Sequence, residues 1–552
     1  VSGPHAQGEL SGGPSARSPL ESARVLDALA QPEAYPLDAS AHAPRWIQTH
    51  LSHVFLTGER VYKFRKPVDL GFVHFETLAA RNDDCLNEVV LNRRLAPDVY
   101  LGIAPLESDG NVRVGEPAEA LASETSEHCV VMRRLPEGRD ALSLLTRGAL
   151  SGEQVDRLAR RIARFHAAHP LRVPAPRGGW LHHCTRPAWS NFDALRGSLV
   201  GLQELARLER LEGRAGEFAR RSASVFEARY AAGRAVNGHG DLHLQHVWFE
   251  RDDDEPIAID CVEFDAELRR IDGASEVAFL SMDLRYRGAE ALAERFLRSY
   301  AAERDDYELY RVVDWFESYR AAVRAKVAAI AAGEQEIDAS QRERACDSAR
   351  RHLDLALRVL EAERRPSLVL VCGAVGTGKS TLASALAERL DAVVIGSDRV
   401  RKHQLGLPSG QRAPEAAYRP AAKRAVYEAL LARADAVIAS GRTAILDATW
   451  GERAERLRAH AFASARRVRA HLVETRAAAS VARARLERRA RQGRDASDAG
   501  PELYDASVAG FEPPVEWPAA RRHVIETHSD DWRAGLAPLA DALRGAAACR
   551  PC

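Results

Sequence analysis

Gly373-Ala-Val-Gly376-Thr-Gly378-Lys379-Ser380 constrains this chain more than any other stretch. It fits G-x-x-x-x-G-K-S/T and lies between the apolar run Leu368 to Cys372 and a helical pattern that opens at Lys379. A strand, a glycine turn and a helix in that order aim backbone N–H groups at phosphate oxygens, with the positive helix N-terminus behind them. Gly373, Gly376, Thr377, Gly378, Lys379, Ser380 and Thr381 are therefore candidate ATP-binding residues. Lys379 is expected to reach the β/γ-phosphates and Ser380 to ligate Mg2+. The alternative is a glycine-rich turn ahead of an ordinary helix.

The segments VVIGSD, TAILDAT and RVRAHLVET follow as short apolar strands separated by helical patterns, which predicts a parallel α/β sheet from about residue 366 to 545. Asp447 ends one apolar run and Asp398 follows another, so both carboxylates emerge where such sheets place ligands. Asp447 is a candidate for the Mg2+ shell with Ser380. Asp398 is either a general base or the N-cap of the helix after it. Arg485 and Arg489 stand four residues apart on one helical face and either close over the phosphates or form a solvated face.

These motifs, GAVGTGKST, SDRVRK, ILDAT and RARLERRARQGRDASDA, resemble the small P-loop kinases of the polynucleotide kinase and zeta toxin group. The resemblance implies that Asp398 activates the acceptor hydroxyl, and that Arg485 and Arg489 neutralise the transferring phosphoryl group.

At roughly 150 residues per domain, 552 residues need more than one core, and 46% hydrophobic with 28% charged residues is an ordinary globular balance. With 78 basic against 78 acidic residues no global field recruits nucleic acid, and no aromatic and basic strip is present to track a strand. Six of the basic residues are lysine, so each lysine marks a place where a compact ammonium serves better than a guanidinium. Two of them, Lys63 and Lys66, lie in VYKFRK, a strand that pairs across a turn at Thr57-Gly58. Glu88 sits on the helical pattern that follows.

Farther on, His239-Gly240-Asp241-Leu-His243 and then Ile257-Ala-Ile-Asp260 supply two carboxylates, one for an acceptor hydroxyl and one for a metal on the phosphates. A structural turn is the bland alternative. Lys63, rather than Lys66, is the candidate to grip the α/β-phosphates, oriented by Glu88. His246 stands five residues after Asp241, where an amide would be the better Mg2+ ligand. With only Gly58 ahead of Lys63, phosphate cover is expected from Ser52 and the hairpin backbone.

This half resembles the aminoglycoside phosphotransferase-like kinases. The whole arrangement is similar to a bacterial two-domain family described as bifunctional aminoglycoside phosphotransferase/ATP-binding proteins, whose second half is termed an AAA family ATPase. THLSHVFLTGERVYKFRKPVDLGF, NEVVLNRRLAPDVYLGI, HGDLH and IDCVEFDAELRRIDGASEVAFLSMDL carry the likeness. It implies a bilobal protein-kinase-like domain of mixed α/β and α+β class at about 21–362, with a small lobe at about 21–135 and a helical lobe at about 136–362. The P-loop kinase domain with its parallel sheet would follow, and both would use ATP and Mg2+ on a small-molecule hydroxyl acceptor. An acidic pocket for a polycationic acceptor requires Glu263, Asp265, Asp272 and Asp283 to converge.

Residues 1–20 read as a disordered leader, and Cys549 and Cys552 as a reduced tail rather than half of a metal site. Scattered cysteines, with no apolar run near 18 residues and no signal-like start, predict a cytoplasmic chain without a membrane partner.

Overall fold

Thr57-Gly58 turns the chain as expected in the computed structural model, which describes residues 18–38, 43–69, 71, 73–108, 110–172, 178–198, 202–333, 338–408, 410–492 and 498–544. β1 (Arg45–Gln48), β2 (Ser52–Leu56) and β3 (Arg60–Arg65) pair antiparallel, with Lys63 opposite Val54. With β4 (Tyr100–Glu107), β5 (Arg113–Val114) and β6 (His128–Arg133) they form a six-stranded sheet in the order β1-β2-β3-β6-β4-β5. One face buries Phe55, Tyr62, Phe64 and Val131 together with Leu20 and Leu29, the latter on α1 (Ala23–Leu29). The expected leader therefore ends sooner: Ser18 is buried and its hydroxyl donates to Glu127 Oε2 at 3.0 Å, while Leu20 joins the core. The remainder of the leader, residues 1–17, lies outside the described residues, as do Cys549 and Cys552.

The other face receives α2 (Leu78–Asn92), capped by Thr77, whose hydroxyl accepts from Ala80 N at 3.2 Å. Its Cys85 and Val89 pack against Ile103 and Val130.

The chain packs as two compact units. The first unit runs to Leu150 and takes in His239–Arg270; the second comprises Ser151–Gly238 and everything from Ile271 onward. The helical segments thus belong with the P-loop half, and buried ion pairs show why. Arg442, ahead of a strand of the P-loop sheet, bonds Glu294 Oε2 at 3.0 Å and Asp314 Oδ1 at 2.8 Å. Burial alone would raise the Glu294 carboxyl, but Arg442 and Arg285 overcome it and hold it at about 2.

In this second unit α3 (Gly152–Ala168) begins with a capping box between Ser151 and Gln154. Two helices follow, α4 (Glu290–Arg304) and α5 (Val313–Gly333). They break at Asp305, left-handed at φ 51°, whose carboxylate Arg433 holds with Nε at 2.7 Å.

The first unit adds a short antiparallel hairpin of β7 (Val247–Trp248) and β8 (Ile257–Ala258), and in the second unit the first strand of the P-loop sheet is β9 (Ser367–Cys372). It lies at the centre of a parallel sheet with β10 (Val393–Gly396), β11 (Ala444–Asp447), β12 (Arg469–Arg476) and β13 (Arg522–Glu526), in the order β10-β11-β9-β12-β13. The fold is thus mixed, a six-stranded antiparallel sheet with its helix and a five-stranded parallel sheet behind the phosphate loop, of the mixed class that the resemblance implied. Asp447 registers against Val371 and Gly396, so three strand ends meet at one edge. Among the described residues no helix is long and apolar enough to cross a membrane.

Candidate functional site

Alternation along β3 sends Tyr62 and Phe64 into the core and puts Lys63 and Arg65 on the opposite face. Lys63 Nζ donates to Glu88 Oε1 at 3.0 Å and to Asp260 Oδ1 at 2.9 Å, whereas the exposed Lys66 reaches Gln48 at 3.3 Å. Burial works to discharge Lys63, but Asp260 and Glu88 outweigh it and raise its pKa above that of an ordinary lysine. Lys63 in turn is the main cause holding Asp260 well below the usual carboxylate range.

Arg65, which the sequence reading did not single out, is fully enclosed by Asp84, Glu88, Glu263 and Ser52. The period-two spacing from Lys63 was the available signal. Ser52 is consequently not a phosphate cover: it is buried and its Oγ accepts from Arg65 NH1 at 2.9 Å. The four acidic residues named above each have a partner within their own unit. Glu263 pairs with Arg65, Asp272 with Arg229 and Asp283 with Arg287, while Asp265 caps a short turn at Glu267 N.

Asp260 holds a left-handed φ of 63°, fixed because its N–H donates to Tyr100 Oη at 3.1 Å and the Cys261 N–H donates to Asn92 Oδ1 at 2.8 Å. Around Asp241 three imidazoles have distinct tasks. His239 Nε2 donates to Ile259 O at 2.8 Å, tying the loop to the segment that delivers Asp260. His243 Nδ1 accepts from Gln245 N at 3.3 Å, which leaves its Nε2–H facing Asp241 Oδ2 at 3.5 Å. His246 Nδ1 donates to Asp241 O at 2.9 Å, so its Nε2 lone pair faces Asp260 Oδ2 at 3.4 Å.

Burial keeps His246 below its ordinary pKa and therefore neutral. Asp260 and His246 thus offer a carboxylate oxygen and an imidazole lone pair to a divalent cation, with Asp241 adjacent. The imidazole favours a transition ion over Mg2+.

Burial also holds His239 down at about 3 against an ordinary 6.5. A histidine depressed on folding contributes stability that is complete above pH 6.5 and is lost as pH falls from there to about 3. Within that window acid unfolding should cost about 1.4 kcal/mol per pH unit from this group alone. Chemical denaturation of wild type and His239→Gln between these limits checks it, and the slope should be shallower in the variant.

In the second unit the glycines of the phosphate loop are required by close approach. A Cβ at Gly373 (φ 141°) would stand 2.5 Å from Thr475 O, and one at Gly376 (φ 78°) would stand 2.7 Å from Ala482 O. Gly378, also left-handed at φ 86°, is the N-cap of α6 (Lys379–Leu390), so Lys379, Ser380 and Thr381 form its first turn. Thr377 Oγ1 donates to Ala374 O at 2.8 Å, and Lys379 Nζ folds over the loop to the same carbonyl at 2.9 Å. Burial lowers the Lys379 pKa, while Asp447 and Asp398 pull the other way.

A cavity of about 2040 Å3 brings together Lys379, Ser380, Asp398, Asp447, Arg485 and Arg489. Asp398 is the second residue of α7 (Ser397–Gln404), whose N-cap is Gly396, so it does not occupy the cap position. Its carboxylate instead takes Arg401, whose guanidinium lies 4.5 Å from the Tyr418 ring centroid.

Well beyond α8 (Pro420–Ala439) and after β12, α9 (Ala479–Gln492) carries the two arginines. Arg485 donates to Thr527 Oγ1 at 3.0 Å and Thr527 O at 2.7 Å, and Arg489 donates to Ala499 O at 2.7 Å. Thr527, 150 residues from its target and without any sequence signal, donates to Thr377 O at 2.6 Å and so ties Arg485 to the loop.

A family model described as an AAA domain matches residues 368–514. The uncharacterized protein Rv2004c of Mycobacterium tuberculosis H37Rv is 34% identical over 438 residues, covering 79% of this chain and 83% of that protein. This chain belongs to the family of that mycobacterial protein. Among solved structures, a choline/ethanolamine kinase family protein from Mesorhizobium loti is 14% identical, with TM-score 0.32, over 60% of this chain and 97% of its own. A gluconokinase from Sinorhizobium meliloti is 21% identical, with TM-score 0.24, over 34% of this chain and 99% of its own.

Proposed function

We propose that the chain is a double phosphotransferase in which each half binds ATP with a divalent cation and transfers the γ-phosphate to a small-molecule hydroxyl. The observation that carries this reading is the shared cavity of Lys379, Ser380, Asp398, Asp447 and Arg485, which assembles a phosphate cradle, cation ligands, a carboxylate and a second positive charge. Lys379 and Arg485 stabilise charge on the transferring group, and Asp398 accepts the acceptor's proton. Ser380 and Asp447 would hold Mg2+, which when bound neutralises phosphate charge.

In the first unit Lys63, oriented by Glu88, takes the α/β-phosphates, Asp260 and His246 would hold the cation, and Asp241 serves the acceptor hydroxyl, aligned by His243. A second reading has some support, because Lys63 and Asp260 already satisfy one another. On that reading the first unit binds nucleotide without chemistry and regulates the second.

The test is a metabolite panel incubated with γ-labelled ATP and the full chain, beside Asp241→Ala and Lys379→Ala. Two classes of labelled product are expected, each abolished by one variant and spared by the other. Labelling that survives Asp241→Ala throughout would support the regulatory reading, and labelling that survives both variants would overturn the proposal.

A further inference from the structure

The cavity around the phosphate loop is not built by the P-loop sheet and its helices alone. Arg295, Arg298, Ser299 and Ala302 of α4 also line it, at the three-, four- and seven-residue spacings that place side chains on one helical stripe. Asp156 and Arg160 of α3, one turn apart, line it too. This wall adjoins the element that carries Asp398: His403 Nε2 donates to Ala302 O at 3.1 Å, and Arg399 lies 3.5 Å from Glu303.

The charges on the wall do not balance. Arg295 takes two carboxylates, donating to Asp156 Oδ2 at 2.7 Å and Glu388 Oε1 at 2.8 Å, and Ser299 Oγ also donates to Asp156 at 2.6 Å. Arg298 is left with Glu388 at 3.9 Å, beyond hydrogen-bonding distance, although its side chain is only 13% exposed. Burial first, and the neighbouring Arg295 second, push its pKa below that of an ordinary arginine. The Arg160 side chain has no hydrogen bond or ion pair among the described residues. A desolvated guanidinium without a bonded anion is costly, and its planar fork matches the oxygens of a phosphate or carboxylate.

We propose that Arg298 and Arg160 form an oxyanion subsite for the acceptor of the P-loop half, so that this acceptor is a hydroxyl compound bearing a phosphate or a carboxylate. The inference rests on the phosphotransferase reading above. It also makes helices that precede the P-loop sheet in sequence part of that half's substrate site.

The test uses the full chain saturated with a non-hydrolysable ATP analogue and Mg2+, so that the phosphate loop is filled. Inorganic phosphate and acetate are then titrated separately and the melting temperature is followed. Either anion should stabilise wild type, and Arg298→Met and Arg160→Met should each weaken that effect by about tenfold or more in apparent affinity. Arg160 is only half-buried, so its variant remains informative if Arg298→Met folds poorly. No stabilisation by either anion, or equal stabilisation of wild type and both variants, overturns the subsite. If the analogue itself fails to stabilise wild type, or does so equally well in Lys379→Ala, the underlying phosphotransferase reading falls instead.

Discussion

Asp398→Asn is expected to fold as wild type does and to bind ATP, yet to lose phosphate transfer by the P-loop half by roughly 10² to 10⁴-fold. An amide cannot accept the acceptor's proton, and nothing else about the position changes much. The residue lies inside α7 and not at its cap position, and its carboxylate takes Arg401, three residues along α7, in a pair worth about 0–1 kcal/mol. Transfer and melting temperature measured on the same variant separate the effects. Near wild-type transfer would remove the base role.

Arg442→Ala is expected to destabilise the second unit by about 3–5 kcal/mol. The arginine is buried and its removal deprives Glu294 and Asp314 of a charged partner at once, although Arg285 and Arg364 remain. The loss should appear as a lower denaturation midpoint for α4, α5 and the P-loop sheet together, because the broken contacts join them. A shift under about 1 kcal/mol would mean that the helices and the sheet are stabilised independently. Glu294 contributes in the opposite pH direction from a gained lysine or histidine pair. Its stabilisation is present above pH 4.5 and lost as pH falls toward about 2.

What the sequence disclosed was what local chemistry determines. Gly373 to Ser380 is legible because strand, glycine turn and helix are contiguous, and Asp447 because an apolar run ends on it. Lys63 stood out in a chain with few lysines, and β3's alternation could have pointed to Arg65 as well. The chain leaves the helix at Asp305, where the sequence has no proline or glycine, and the residue that holds its carboxylate, Arg433, lies 128 residues away. Arg442, Arg298 and Arg160 were hidden for a related reason. In a chain this rich in arginine, an arginine's role depends on which carboxylates fold back to it, and that is decided by long-range packing.

The central claim is that one chain holds two independent ATP sites, and equilibrium binding of a non-hydrolysable ATP analogue to the full chain tests it most directly. Two sites per chain are predicted for wild type. Lys379→Ala should leave only the site that depends on Lys63 and Asp260, Asp260→Asn should leave only the phosphate-loop site, and the double variant should lose both. A single site in wild type, or undiminished binding in the double variant, would contradict the account.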